Sequence, residues 1–131
     1  MYVTIDTSAL IAVIGNEKSK QKIIEVTSGC SLYAPSSVHW EVGNAFSAMF
    51  KRGSSTIELA RLALAVYREI PIKFIDVSLE HTVEISETLN IYAYDAYLIQ
   101  CAQQTSTSLL TLDKGLKIAA EKMGIHILEM E

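Results

Sequence analysis

The 131-residue sequence holds only two cysteines, two prolines and three histidines. Cys30 and Cys101 stand far apart and match no metal-ligand spacing, so the chain carries neither a disulfide framework nor a thiolate zinc site. Two reduced, mostly buried thiols are the expectation. His39, His81 and His126 have no cysteine or acid at ligand spacing and read as structural or surface residues. No apolar run approaches the roughly 18 to 20 residues that span a bilayer, and no charged segment followed by a long apolar stretch opens the chain. A cytoplasmic protein with no membrane partner is expected. Also missing are a glycine-rich phosphate loop, a dinucleotide fingerprint, internal repeats and linkers, so residues 1–131 read as one domain. Positive charge is short as well. With 11 Lys and Arg against 15 Asp and Glu the formal net charge is −4, which excludes a surface built to coat nucleic acid. It leaves room for a nucleic-acid enzyme whose acidic centre is balanced by a cation.

What the chain has in quantity is apolar side chains, 50% of the total. That surplus implies a covered interface, since soluble monomers rarely expose large apolar patches. Short β-branched runs alternate with helical patterns. Strands are expected over residues 2–5, 31–34, 72–75, 108–112 and 125–128. Helices are expected over 9–14, 16–28, from Ser36 or Ser37 to Arg52, from the capping box Ser55-Thr56-Ile57-Glu58 to about Ile70, from Ser78 through Leu89, over 94–104, and from Asp113 to about Met123. Strands separated by helices, with runs that need cover on both faces, give a three-layer α/β/α sandwich with a five-stranded parallel sheet.

Three acids fall at comparable junctions. Asp6 follows the first strand, Asp113 follows the fourth, and Asp95 opens the helix over 94–104. Each could be a helix cap, an arrangement that typically stabilises by about 0.3–1 kcal/mol. In a parallel sheet, however, such strand ends share one edge, which is where ligands bind. Glu41 lies in the first turn of its helix, a position that favours acids anyway, with Asn44 three residues on and on the same face. Like charges about 4 Å apart at an effective dielectric near 20 cost on the order of 4 kcal/mol per pair. A cluster of four must therefore hold protons or a cation. Hard oxygen donors favour Mg²⁺ or Mn²⁺, and such an ion suits phosphodiester hydrolysis. Ser8 could be a nucleophile, but no histidine is placed to activate it, so orienting Asp6 or a water is the better role. Tyr92, Tyr94 and Tyr97 around Asp95 could stack on bases or pack against helices. Lys114 and Lys117 could meet a substrate phosphate in RNA binding or form a solvated helix face.

With these residues assembled, the chain resembles the PIN-domain nucleases, and among them the small VapC-type toxins. The matching stretches are Ile5-Asp6-Thr7-Ser8-Ala9-Leu10, Glu41-Val42-Gly43-Asn44-Ala45, Tyr94-Asp95-Ala96-Tyr97-Leu98-Ile99-Gln100-Cys101-Ala102 and Leu110-Thr111-Leu112-Asp113-Lys114. His39 and Trp40, just before Glu41, are bulkier and more polar than the aliphatic residues usual there. The resemblance implies a Mg²⁺- or Mn²⁺-dependent endoribonuclease with Asp6, Glu41 and Asp95 as principal acids and Asp113 as a more variable fourth. Ser8 and Asn44 match the family's supporting polar positions. It further implies homodimers and, for the toxins, a small antitoxin protein that covers the helical surface and the acidic site. Residues 37–70 carry more apolar surface than one core stripe requires, so the interfaces are expected there.

Two readings from other classes stand beside this one. One is a phosphotransferase or receiver-like domain with Asp6 as covalent nucleophile; the dehalogenase-like version of that pattern wants a second acid where Ser8 stands. The other is a catalytically silent binding module whose acids are caps.

Overall fold

The structure, a computed structural model, describes residues 1–130. The elements run β1 (Tyr2–Ile5), α1 (Thr7–Ile14), α2 (Lys20–Thr27), β2 (Ser31–Pro35), α3 (Val38–Arg52), α4 (Ile57–Glu69), β3 (Ile72–Ile75), α5 (Leu79–Leu89), α6 (Ala93–Thr105), β4 (Ser108–Leu110) and α7 (Lys114–Lys122). The strands form one parallel sheet in the order β3-β2-β1-β4.

That order follows from the chemistry of the strands. Val3 and Ile5 of β1 and Leu109 and Leu110 of β4 are essentially buried, as expected for parallel strands covered on both faces. β1 sits between β2 and β4, pairing Thr4 with Tyr33 on one side and Ile5 with Leu110 on the other. The chain moves from β1 outward to β2 and β3, then returns across β1 to β4. Right-handed crossovers therefore put α1 to α4 on one face and α5 to α7 on the other. The reversal falls between β1 and β4, so a crevice opens beyond their carboxyl ends. Leu10, Ile23, Leu98, Ile99 and Leu116 pack with the strand residues in one large cluster, and Ile11, Ile14, Val42, Phe46, Ala60 and Ala63 join α1, α3 and α4 in a second.

Four strands replace the five expected. Residues 125–128 make only an isolated parallel bridge, Ile127 to Leu109, with Leu109 N–H donating to His126 O at 2.9 Å and Leu128 N–H to Leu109 O at 2.9 Å. β4 is three residues long because Thr111 leaves the ladder, so there is little edge on which a fifth strand can extend. Local signals also shift. Neither serine before α3 caps it through its side chain: Ser37 is itself in helical conformation and makes no capping bond. The expected capping box moves one residue on, with Thr56 Oγ1 accepting from Leu59 N–H at 3.3 Å. Residues 16–19 turn before α2 instead of belonging to it, with Asn16 at φ 55°. Gly53 does end α3, at φ 72° in the left-handed region, where a residue without Cβ is favoured.

The thiols are free, Cys101 being buried and Cys30 partly so; burial pushes the Cys101 thiol up to about 11. None of the helices among the described residues is long and apolar enough to cross a membrane. On α4 the outward stripe Leu59, Leu62 and Val66 is exposed, as are Ile57 and Phe50, matching the surplus apolar surface expected over residues 37–70.

Leu110 is fully buried and Leu62 is 67% exposed, so they calibrate the core. Leu110→Ala is expected to cost about 2–5 kcal/mol in urea unfolding and Leu62→Ala less than about 0.5 kcal/mol. Similar losses from the two would contradict the burial of β4 in the core.

Candidate active site

β1 ends at Ile5, and Asp6, still extended, follows it as the cap of α1, Oδ1 accepting from Ala9 N–H at 3.0 Å. The residue is only 4% exposed. Two hydroxyls complete its shell. Ser8 Oγ lies 2.8 and 2.9 Å from the two carboxylate oxygens, and Thr111 Oγ1 donates to Oδ2. Having given their protons to Asp6, both hydroxyls accept backbone N–H groups from the β4–α7 loop. Leu112 N–H reaches Ser8 Oγ at 2.9 Å, and Asp113 N–H reaches Thr111 Oγ1 at 3.0 Å. Asp6 is thus a cap, as its position suggested, and also the point where two loops are fastened together. Burial raises its pKa above the usual aspartate value, against the opposing bonds from Thr111, Ala9 and Ser8, and the nearby Asp113 raises it further.

Glu41 approaches from the first turn of α3 and Asp95 from the first turn of α6. Asp95 is three residues into its helix and does not open it; Tyr92 holds the cap position without a side-chain bond. Asp113 caps α7, Oδ1 accepting from Leu116 N–H at 3.2 Å. The four acids feel one another. Burial pushes Glu41 up to about 7, the Thr7 hydroxyl opposing and the charges of Asp6 and Asp95 adding to the rise. Asp95 is raised by burial and by Asp113. The charge effects link the acids in pairs, Asp6 with Asp113, Glu41 with Asp6 and with Asp95, and Asp95 with Asp113. Glu41 Oε1 is buried with no hydrogen-bond partner, and so is the Thr7 hydroxyl oxygen that faces it. A buried carboxylate oxygen left unsatisfied costs free energy unless something positive or protic completes it.

The donor set fits a hard divalent cation. No three Asp, Glu, His or Cys side chains among the described residues already enclose one ion position.

The supporting residues divide. Ser8 is in the site. Asn44 shares the face of Glu41 but is exposed and makes no hydrogen bond among the described residues. Lys114 is exposed and Lys117 partly buried on α7, and neither forms an ion pair among the described residues. His39 is structural, its Nδ1 2.9 Å from Tyr67 Oη and its ring 4.2 Å from Phe74. Two features escaped the sequence reading. One is Thr111, which a strand pattern presents as an ordinary β-branched residue. The other is a cleft of about 640 Å³ beside the acids, bounded by Ser37, Trp40, Asp76, Tyr92, Tyr94 and Tyr97.

Comparison with known proteins bears on the fold. The PIN domain family profile matches residues 3–122, and the chain belongs to that family. Comparison with curated protein sequences gives no match. Among solved structures, PAE2754 from Pyrobaculum aerophilum is similar with a TM-score of 0.74 at 19% identity, over 98% of this chain and 84% of that one. VapBC2 from Rickettsia felis, solved bound to a DNA fragment from its promoter, has a TM-score of 0.70 at 19% identity, over 98% of each chain. VapC20 from Mycobacterium tuberculosis, described as a toxin that cleaves the sarcin-ricin loop, has a TM-score of 0.64 at 13% identity, over 89% of this chain and 94% of that one. At these identities the likeness is one of fold.

The raised carboxyls fix the sign of a pH effect. Glu41 in the folded chain holds its proton up to about pH 7, whereas its ordinary value is 4.5. Between those values the folded state binds the extra proton, so stability falls as pH rises through the window and levels off above it. Glu41→Gln is expected to flatten that slope and to raise stability at pH 8 by up to about 2 kcal/mol, after discounting for solvent screening of a partly exposed group. Urea unfolding at pH 5 and pH 8 measures it; an unchanged slope in the variant would assign the pH dependence to other groups.

Proposed function

We propose that this chain is a metal-dependent endoribonuclease, the VapC-type toxin of a toxin–antitoxin pair, hydrolysing RNA phosphodiester bonds in the cytoplasm. The observation that carries the reading is that Asp6, Glu41, Asp95 and Asp113 lie within reach of one another's charge, with Glu41 Oε1 buried and unpaired.

Asp6, Glu41, Asp95 and Asp113 would hold Mg²⁺ or Mn²⁺. When bound, such an ion lowers the pKa of a water and offsets charge developing on phosphoryl oxygens. The chain's own residues supply the rest. Ser8 and Thr111 fix both oxygens of Asp6, so its carboxylate keeps one orientation without reorganising during the reaction. Glu41, whose Oε1 is buried without a partner, would hold the ion or accept the proton of an attacking water. Lys114 and Lys117, at the start of α7 behind Asp113, would meet the RNA backbone. The exposed apolar stripe of α4 is the surface for a homodimer contact and for a small antitoxin.

The capping bonds of Asp6 and Asp113 favour a second reading, the silent binding module. It leaves Glu41 and Asp95 unexplained, since neither caps a helix. A covalent-nucleophile role suits Asp6 poorly, because the carboxylate is buried with both oxygens engaged.

Purified protein with Mn²⁺ is expected to cut single-stranded RNA, with Asp6→Asn and Asp95→Asn each lowering the rate at least about a hundredfold and chelation abolishing it. Equal cleavage by wild type and both variants would sink the assignment. Thr111→Val keeps the strand shape and removes one hydroxyl, and it should lower activity roughly 10- to 100-fold, the usual effect of removing a group that orients a ligand. The loss should be partly recovered at higher Mn²⁺ if Thr111 acts by orienting Asp6. A variant as active as wild type would remove Thr111 from the site.

A further inference from the structure

The cleft beside the acids is used by nothing in the mechanism above. It opens at the carboxyl ends of β2 and β3, on the same edge of the sheet as the acid crevice. The helices that carry two of the acids also build its walls. Ser37 and Trp40 precede Glu41 by four and one residues at the start of α3, and Tyr94 and Tyr97 bracket Asp95 on α6. Its lining contains no lysine, arginine or histidine, so it has nothing with which to hold a phosphate. It offers aromatic planes instead. Trp40 is 63% exposed, Tyr92 90% and Tyr94 42%, and this exposure is unexplained by packing. The rim adds two polar groups: the Ser37 hydroxyl oxygen, buried and without a partner, and the carboxylate of Asp76, its only charged side chain.

We infer that this cleft is a base-binding subsite, in which one unpaired nucleobase of the RNA stacks between Trp40 and the α6 tyrosines while its backbone runs to the acids. The inference takes from the ribonuclease reading only the identity of the polymer. A volume of about 640 Å³ lies within the range of small-molecule sites and exceeds the needs of one base. Aromatic planes suit any base, because every base has a π-face. The edge of the stacked base then meets groups of defined character. Asp76 accepts hydrogen bonds and repels acceptors. Ser37 can donate or accept. Bases that present N–H groups to the rim, guanine above all with adjacent ring and exocyclic donors, are therefore preferred. Since Glu41 directly follows Trp40 and Asp95 directly follows Tyr94, a base seated here brings a neighbouring phosphodiester towards the acids. The cleft thereby selects single strands, because a paired base cannot enter it.

Trp40 is the sole tryptophan, so its emission reports on its own stacking. The probes are GMP, AMP, CMP and UMP, with ribose 5-phosphate as the control that has phosphate but no base. Saturable quenching is expected with the nucleotides, strongest with GMP, and none with ribose 5-phosphate. Tyr94→Ala should weaken GMP binding about tenfold, as expected for losing one stacking partner, Tyr94→Phe should restore it, and Tyr2→Ala, at the far end of the sheet, should change nothing. Circular dichroism melts confirm that each variant is folded. Absence of quenching, equal quenching by ribose 5-phosphate, or unaltered GMP binding in Tyr94→Ala overturns the inference. So does a change in Trp40 emission that follows protein concentration without nucleotide, which would give the cleft to a second copy of the chain. Nucleotide binding in a protein that cuts no RNA would sustain the subsite and sink the nuclease; RNA cleavage without nucleotide-dependent quenching would do the reverse.

Discussion

The carboxylate of Asp6 is the constraint from which the functional edge is built. It lies out of water, where a charge without partners is costly by several kcal/mol, so its donors are obligatory. Ala9 N–H and the Ser8 hydroxyl come from its own loop, but the Thr111 hydroxyl comes from across the sheet. Each hydroxyl has one proton, and committing it to Asp6 leaves the oxygen free to accept, which is how Leu112 and Asp113 N–H are satisfied. The β4–α7 loop and the β1–α1 loop therefore specify one another. Strand register decides whether this can happen. Ile5 pairs with Leu110, and Asp6 N–H donates to Leu110 O at 3.1 Å. A slip of one residue would turn Thr111 to the opposite face.

The same constraint accounts for the shortened sheet. Once Thr111 turns to Asp6, β4 ends at Leu110, and the apolar run at 125–128 finds only Leu109 to bridge. That run, bounded by Gly124, has the composition of a strand, and composition alone carries no trace of the missing partner. The acids were legible because each sits at a junction that the hydrophobic pattern marks sharply: Asp6 and Asp113 after apolar β-branched or leucine-rich runs, Glu41 and Asp95 in the first turns of long helices. Their convergence followed from parallel strands. The local caps were less legible. Ser37 and the Ser55–Glu58 pattern meet the rules for helix starts, yet one cap falls a residue later, at Thr56, and Ser37 makes no side-chain capping bond. Thr111 was illegible for a different reason: its role is set by a residue 105 positions away, and a threonine next to a strand has an ordinary explanation.

The acid cluster opposes stability. Burial raises Asp6, Glu41 and Asp95, their mutual charges push in the same direction, and Glu41 keeps an oxygen without a partner. Capping bonds relieve two of the four acids only. A fold selected for stability alone would replace Glu41 and Asp95 with apolar residues, since neither closes a helix end. Local rules broken without a compensating local gain are characteristic of functional sites, where the conflict is maintained for chemistry elsewhere in the reaction cycle.

The aromatic cleft and the acid crevice are chemically opposite yet share two helices. On α3 and α6 a single residue step separates an aromatic ring from a carboxylate, so the angular offset of successive helical residues, about 100°, divides the two functions between adjacent surfaces. Net charge bears on how they would cooperate. A chain at −4 gains little from long-range attraction to a polyanion. Recognition must then rely on contacts that act at van der Waals distance, and exposed aromatic rings beside the acids are the groups that supply them. Stacking also requires an unpaired base. If the cleft takes a base, selectivity for single strands would follow from that stacking.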